Sequence, residues 1–323
     1  MPNRDHVLAL DIGGTKLAAG VMDRDGGLRS FVRTPTRAEE GPDAVVARLL
    51  ALGREALAAA GHRPDAMVAV GIGCGGPLDP VTGRVLGPPG LPHWDDVPIV
   101  DLVTDAFGRP ARLENDATAA ALGEYRHGPW HDVRHMLYLT VSTGVGGGLI
   151  LDRRLYRGAA GNGGEFGHVI LDWNGRVCGC GQRGCVEAYA SGSAIARRAV
   201  EALAGDEPSS LRDAATVTAE AVAAHAAQGD PLARRIWDES TAALGRAVAV
   251  MINMVEPQLV VLGGGVTRAG DALLLPVRRA ALGQAMRPAA AAARIELSAL
   301  GDTVGVVGAA ASAFLHLDEG ADR

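Results

Sequence analysis

Three of the four cysteines lie in one short run that also has a histidine and an acid beside it. Cys178, Cys180 and Cys185 are separated by glycines, His168 lies ten residues upstream and Glu187 follows. One imidazole and three thiolates form the ligand set of a closed, tetrahedral zinc site, and glycines allow the sharp turns that such a site needs. We therefore predict one structural Zn²⁺ per chain at His168, Cys178, Cys180 and Cys185, with no open position for a catalytic water.

Two glycine turns, one in each half of the chain, have the composition of phosphate-binding loops. The first is residues 11–16, Asp-Ile-Gly-Gly-Thr-Lys, and the second is residues 140–148. Glycines let backbone N–H groups approach a phosphate, threonine adds a hydroxyl, and Asp11 has the ligand type to hold magnesium through water. The residues expected at the phosphates are Asp11, Gly13, Gly14, Thr15, Lys16, Thr143 and Gly144.

Two common nucleotide-binding motifs are excluded. A Walker A loop needs lysine directly after glycine, whereas the only lysine, Lys16, follows Thr15. Gly71, Gly73 and Gly76 have the spacing of a dinucleotide fingerprint, but Pro77 follows at the place where a helix would have to begin. We interpret these glycines as a turn on the substrate side.

A plan of strand, glycine turn and strand occurs twice along the chain. Strands are predicted at 7–10 and 17–22 around the first turn, and at 135–141 and 149–151 around the second. Further buried strands are predicted at 28–33, 67–72, 111–114, 259–262 and 295–297. Helices are predicted at 43–60, 117–125, 193–204, 216–228, 232–255, 272–286 and 306–315.

Composition favours a cytoplasmic protein with a large core. The chain has 323 residues, enough for two domains, and its net charge of −6 offers no basic surface for nucleic acid or anionic lipid. Residues 1–6 are short and polar, unlike a signal peptide, and no apolar stretch is long enough for a membrane helix. We expect a homodimer or homotetramer with no nucleic-acid or membrane partner.

Five motifs together resemble the ROK family of bacterial sugar kinases and repressors. They are residues 11–16, Glu114-Asn-Asp-Ala117, residues 142–148, Gly164–His168, and the cysteine run through Glu187. The resemblance implies an actin-like, hexokinase-like ATPase fold with two α/β domains around a cleft. We place a small domain at 1–116, completed by 305–323, and a large domain with the zinc loop at 117–304.

The resemblance also implies transfer of the γ-phosphate of ATP to a hexose hydroxyl, with Mg²⁺ accompanying the nucleotide. Asp116 would be the general base, and Gly264 and Gly265 would lie beside the adenosine. The implied sugar-binding residues are Gly75, Gly76, Asn115, Asp116, Glu165, His168 and Glu187. A carboxylate within reach of an alcohol can accept its proton during phosphoryl transfer, which agrees with this role.

Several alternatives stay open at this point. Asn115 and Asp116 also have the composition of a helix N-cap, and Glu187 that of a first-turn acid. Glucose is the expected sugar, with N-acetylmannosamine, mannose or fructose as alternatives, and polyphosphate is an alternative donor. A sugar-responsive regulator without catalysis is the alternative of another class. Repressors of the family carry an N-terminal DNA-binding segment, whereas only six residues precede the first predicted strand.

Overall fold

The computed structural model describes residues 5–321. Residues 1–4 and 322–323, which belong to the predicted small domain, lie outside the described range. Most of the polar segment 1–6 therefore lies outside it as well. The strands are β1 His6–Ile12, β2 Lys16–Asp23, β3 Leu28–Pro35, β4 Met67–Cys74, β5 Leu78–Asp79, β6 Arg84–Val85, β7 Ala111–Asn115, β8 Met136–Val141, β9 Val145–Leu151, β10 Arg154–Tyr156, β11 Leu259–Gly263 and β12 Arg294–Leu297. The helices are α1 Pro42–Ala59, α2 Ile99–Phe107, α3 Asp116–His127, α4 Glu187–Ala190, α5 Gly192–Leu203, α6 Ala219–Ala227, α7 Pro231–Val255, α8 Asp271–Gln284, α9 Arg287–Ala292 and α10 Val304–Ala321.

Two five-stranded sheets have the same topology. The first runs β3-β2-β1-β4-β7 and the second β10-β9-β8-β11-β12. In each sheet the three strands that come first in the chain form an antiparallel meander, and the last two join it in parallel. The predicted repeat of a half-domain plan is therefore confirmed. We call the parts built on these sheets the first and the second domain.

The central strands are apolar on both faces because helices cover both sides of each sheet. In the first domain, Leu8 and Leu10 pack with α1 and α2, whereas Val7 and Ala9 pack against α10. In the second domain, β8 and β11 pack against α7 and α8 on one face. Strands buried on both faces have continuous hydrophobic runs, which is why they were predictable from the sequence.

Helices α3 and α10 lie between the domains. Glycines allow their close approach, since a Cβ on Gly123 would lie 2.9 Å from the Cα of Gly308. On its other side α3 contacts β9, where a Cβ on Gly148 would lie 2.6 Å from the Cβ of Ala121. The two domains thus meet through small residues, which permits close packing without large interlocking side chains.

Several predicted boundaries change in the structure. Strand β9 begins at Val145, so the second glycine turn is shorter than predicted. The helix predicted at 272–286 ends at Gln284, and a separate helix follows at Arg287. Helix α2 was not predicted; it has nine residues, and its N-cap Pro98 offers no side-chain signal. Within residues 5–321 no helix combines the length and the apolar character that crossing a bilayer requires.

Candidate active site

A cavity of about 730 Å³ lies between the two domains and contains almost every predicted site residue. It is formed by the turns that follow β1, β4, β7, β8 and β11. Because parallel strands end at the same edge of a sheet, these turns meet around one opening. Cys185 is the exception among the predicted site residues; it lies behind the wall, with its Sγ 3.8 Å from that of Cys180. The predicted residues on the wall are Asp11, Gly13, Gly14, Thr15, Lys16, Gly75, Gly76, Asn115, Asp116, Thr143, Gly144, Glu165, His168, Cys178, Cys180, Glu187, Gly264 and Gly265.

Asn115 and Asp116 lie where β7 passes into α3. The Asn115 Oδ1 accepts hydrogen bonds from the N–H groups of Ala117 and Thr118 at 3.0 and 3.1 Å, so Asn115 is the N-cap of α3. The Asp116 Oδ1 accepts from the Ala117 N–H at 2.8 Å. Its Oδ2 lies 3.9 Å from the Cβ position of Gly75, on the cavity wall. The capping interpretation and a role in the site are therefore compatible.

The first glycine turn carries the carboxylate of Asp11 at its base. Burial and the negative charge of Asp116 raise the pKa of Asp11 to about 7, and Lys16 acts in the opposite direction. Burial also raises the pKa of Asp116, against a hydrogen bond from Ala117 that lowers it. The negative charge of Asp116 disfavours ionisation of Asp11, and a bound cation would favour the ionised form. The site has the ligand chemistry for a hydrated magnesium ion.

Backbone crowding explains the glycines of the first turn. A Cβ on Gly13 would lie 2.9 Å from the carbonyl oxygen of Lys16, and one on Gly14 would lie 3.0 Å from that of Gly90. The carbonyl of Gly13 accepts a hydrogen bond from the Thr36 hydroxyl at 2.6 Å. The turn is thus held in a shape that leaves its backbone open to the cavity, as a phosphate loop requires.

The second glycine turn is tied to the cysteine run. The Val145 N–H donates to the Oε2 of Glu187 at 2.9 Å, and the Ser193 hydroxyl donates to the Thr143 carbonyl at 2.7 Å. Gly264 adjoins this turn with a φ of +88°, and its Cβ would lie 2.5 Å from the Val141 carbonyl. Part of the Glu187 carboxylate is therefore engaged in holding the turn.

Polar groups from both domains converge beside Asp116. Around the Cβ position of Gly76 lie the Nδ2 of Asn115 at 3.5 Å, the Oδ1 of Asn162 at 3.6 Å and the Oε1 of Glu165 at 3.7 Å. The second oxygen of Glu165 is 3.9 Å from the Nε2 of His168. Amide and carboxylate groups arranged in this way suit a ligand with several hydroxyls.

The donor atoms of His168, Cys178, Cys180 and Cys185 all lie within 4.8 Å of one another. The Sγ atoms of Cys180 and Cys185 are 3.8 Å apart, and the Sγ of Cys178 is 3.8 Å from the Nδ1 of His168. A tetrahedral zinc ion with bonds of about 2.3 Å would separate its sulfurs by about 3.8 Å. The cluster therefore fits zinc, with the Nδ1 of His168 facing the thiols and its Nε2 facing Glu165.

Sequence reasoning missed several groups on the cavity wall. Tyr138 is fully buried and lies on this wall. Arg197 and Arg268 add positive charge on the side of the second domain, and residues 88–91 close the side next to Gly14. Tyr138 belongs to an apolar strand and the arginines to ordinary helical segments, so nothing in their local sequence marked them.

A second cavity of about 590 Å³ adjoins the first. The two share Ser142, Thr143, Ser193, Gly265 and Arg268. The remaining wall is largely apolar and comes from α6, α7 and the segment after β11, and it includes Trp237 and Val266. An apolar chamber joined to a polar one through a glycine turn suits a ligand with a flat base and a charged tail.

Two topologically matched domains, with a glycine turn from each facing a shared cleft, define the actin-like, hexokinase-like fold. The chain belongs to the ROK family, whose pattern matches residues 7–314.

Two relatives and one solved structure each match at least 80% of this chain. The chain is 35% identical to a glucokinase of Thermotoga maritima, covering 94% of this chain and 96% of that protein. It is 42% identical to an N-acetylmannosamine kinase of Citrobacter koseri, covering 80% and 83%. A ROK family glucokinase from Streptomyces griseus, solved with glucose and AMPPNP, superposes with a TM-score of 0.82 at 34% identity, covering 96% of this chain and 99% of that one.

Proposed function

We propose that this protein transfers the γ-phosphoryl group of ATP to a hydroxyl of a hexose, with glucose as the preferred substrate and glucose 6-phosphate as the product. The observation that carries the proposal is the position of Asp116. Its carboxylate lines the same cavity as both glycine turns, and its Oδ2 lies 3.9 Å from the Cβ position of Gly75, next to the group of Asn115 and Glu165. The relatives named glucokinase and the structure solved with glucose support the choice of substrate.

Asp116 acts as the general base in this proposal. A hydroxyl of the sugar donates its proton to the Oδ2 of Asp116 while its oxygen forms a bond to the γ-phosphorus of ATP. The bond from that phosphorus to the β–γ bridging oxygen breaks at the same time, and ADP leaves. The raised pKa of Asp116 suits it to accept that proton. Asn115, Glu165 and His168 hold the remaining hydroxyls. Gly75 and Gly76 lie next to Asp116, Asn115 and Glu165, and Glu187 lies at the side of the phosphate turn.

The nucleotide lies across both cavities. Gly13, Gly14 and Thr15 receive the phosphates together with Thr143 and Gly144, while the adenosine enters the apolar second cavity past Gly264 and Gly265. Magnesium bound to ATP would neutralise phosphate charge, and Asp11 would hold it through water. Lys16 supplies a further positive charge on the wall of the phosphate chamber.

Zinc is structural in this proposal. The four ligands fill a tetrahedron, which leaves no position for a reactive water. His168, Cys178, Cys180 and Cys185 would hold the ion, which would fix His168 and the loop between Glu165 and Glu187 on one wall of the sugar site. Cysteines that bind zinc instead of forming disulfides suit a reducing compartment such as the cytoplasm.

N-acetylmannosamine is the second candidate substrate, because the identity to the kinase for that sugar is the higher of the two, at 42%. A coupled assay with glucose, mannose, fructose and N-acetylmannosamine, each with ATP or polyphosphate, identifies the preferred sugar and the phosphoryl donor. We expect the highest kcat/KM with glucose and ATP. A tenfold preference for N-acetylmannosamine would reverse the ranking, and sugar binding without turnover would indicate a regulator.

A further inference from the structure

Arg157 is a largely buried cation that the proposed reaction does not use. It lies directly after β10, where the chain leaves the second sheet, and its side chain is 23% exposed. Its Nε donates to the Oε2 of Glu114 at 2.7 Å. Glu114 is 1% exposed and belongs to β7 of the first domain, next to Asn115. This ion pair therefore crosses from one domain to the other beside the candidate sugar site.

The pair is only half of the bidentate contact that its geometry allows. A carboxylate can accept from Nε and Nη2 of an arginine side by side. Here Nε is paired, but the Nη2 of Arg157 and the Oε1 of Glu114 are buried without a partner in residues 5–321. Buried ion pairs with unsatisfied atoms contribute little net stability. Stability alone therefore does not account for this pair.

The segment that starts at Arg157 is fixed to the first domain a second time. The Nδ2 of Asn162 donates to the carbonyl of Leu78 at 3.1 Å, and the Leu78 N–H lies 3.5 Å from the Oδ1 of Asn162. The Gly163 N–H also donates to the Arg157 carbonyl at 2.9 Å, which closes the segment into a loop. A piece of chain that both begins and ends in the second domain is thus held by the first.

Glu165 lies at the end of this segment. Its Oε1 faces the Cβ position of Gly76 at 3.7 Å, where the Nδ2 of Asn115 also points. Glu165 comes from the second domain, whereas Gly76 and Asn115 come from the first. The distance between the two halves of the sugar site is therefore set by where the segment 157–165 is held.

We propose that Arg157 is a positioning residue, whose pair with Glu114 holds the segment 157–165 on the first domain and so places Glu165 beside Asn115 for sugar binding. The inference rests on the proposed hexose kinase function and adds to it a residue that does not touch the sugar. Because this segment reaches the group around Gly76 through the side chain of Glu165, we expect its displacement to affect KM for glucose more than KM for ATP.

The first test is steady-state kinetics of Arg157→Met. We expect KM for glucose to rise about tenfold or more, which corresponds to ~1.4 kcal/mol per factor of ten, while KM for ATP changes less than about twofold. Arg157→Lys keeps the charge and can still make one hydrogen bond to the Oε2 of Glu114, so its KM for glucose should lie closer to the wild-type value than that of the Met variant. The matched control is Arg154→Met, an exposed arginine on β10, which should behave as wild type.

A double variant separates positioning from stability. Arg157→Met leaves the Glu114 carboxylate buried and unpaired, which lowers Tm. Adding Glu114→Gln removes that charge, so Tm should recover while KM for glucose stays raised. If Tm and KM for glucose both returned to their wild-type values in the double variant, the pair would contribute only to stability, and the proposal would be overturned.

Hydrogen exchange tests the anchoring without any substrate. Amides of residues 157–165 should exchange faster in Arg157→Met than in the wild type and in Arg154→Met. Unchanged exchange would overturn the proposed anchor. If the wild-type protein phosphorylates no hexose, the proposed function fails, and the exchange result still decides whether Arg157 holds the segment.

Discussion

The two oxygens of Asp116 have different surroundings. The Oδ1 accepts a hydrogen bond from the first turn of α3, and the Oδ2 faces the cleft. Replacing Asp116 with Asn keeps the hydrogen bond to Ala117 but removes proton acceptance. We expect kcat to fall by at least about 10²-fold, with little change in the affinity for glucose. The measurement is steady-state kinetics together with calorimetric titration of glucose.

Asp105→Asn is the matched control, since that carboxylate is exposed on α2 and far from the cleft. It should leave kcat unchanged. An Asp116→Asn enzyme that keeps more than half of the wild-type kcat would remove Asp116 from the role of base.

Because Asp11 and Asp116 both have raised pKa values, we predict that kcat/KM declines on the acid side of its pH profile, the acid limb, at an unusually high pH. Asp11 has a pKa of about 7, and burial also raises the pKa of Asp116. Both groups act as carboxylates, so kcat/KM should decline as the pH falls through about 7, instead of near the usual value of about 3.9. Higher magnesium stabilises the ionised form of Asp11 and should shift the limb to lower pH.

This effect is measured as pH profiles of kcat/KM at low and high free magnesium. In Asp11→Asn the position of the limb should no longer depend on magnesium. A wild-type profile that stays flat down to about pH 5 would contradict the assignment.

Lys16 offers a test at a single amine. It is the only lysine, it lines the cleft, and the carboxylates of Asp11 and Asp302 lie near enough to be influenced by its charge. Because Lys16 belongs to the phosphate chamber in the proposal, magnesium-ATP should slow its acylation and leave the N-terminal amine unaffected. Peptide mass spectrometry distinguishes the two amines, and equal rates with and without nucleotide would place the side chain outside the chamber.

At the scale of elements, the cysteine run is a loop with little core of its own. Its buried apolar cluster consists of Cys178, Cys185 and Ala188, so a metal ion must supply much of its order. We predict one zinc per chain, lost in Cys180→Ser together with part of the thermal stability. KM for glucose should rise in the same variant, because His168 loses its fixed orientation.

Gln182→Ala is the control for this loop, because its side chain is exposed and is not a ligand. It should retain zinc and KM. Elemental analysis and kinetics measure both variants. Metal-free wild-type protein, or full activity of Cys180→Ser, would refute the structural zinc.

At the scale of the whole molecule, we predict that sugar closes the two domains on each other. The small residues between α3 and α10 allow relative movement, and the hinge should include Asp116–Tyr125 and the link before α10. In that link, Asp302 forms ion pairs with Arg33 of the first domain and Arg268 of the second, so the link is attached to both domains. Closure excludes water, which would otherwise compete as an acceptor.

Small-angle scattering with saturating glucose and a nonhydrolysable nucleotide should give a smaller radius of gyration than the free protein. Glucose with Asp116→Asn should close in the same way, since that variant keeps its binding groups. An unchanged radius in the wild-type protein would argue against closure.

The sequence by itself determined the features that depend on local composition. Glycine turns, buried strands and the cysteine run are each encoded within a few residues, because backbone freedom, apolar runs and ligand types are local properties. The motifs that resemble the ROK family therefore pointed to Asp11 and Asp116, which line the cavity, and to the histidine and cysteines whose donor atoms the structure brings together. The repeat of the hairpin plan also predicted the matched topology of the two sheets.

Only the tertiary structure decided how distant segments meet. The contact of Arg157 with Glu114 joins residues 43 positions apart, and the wall positions of Tyr138 and Arg197 follow from packing between elements. The apolar second cavity is likewise formed by helices that have ordinary sequences. Such contacts depend on domain packing, to which each local segment contributes only one side, and so no single stretch of sequence reveals them.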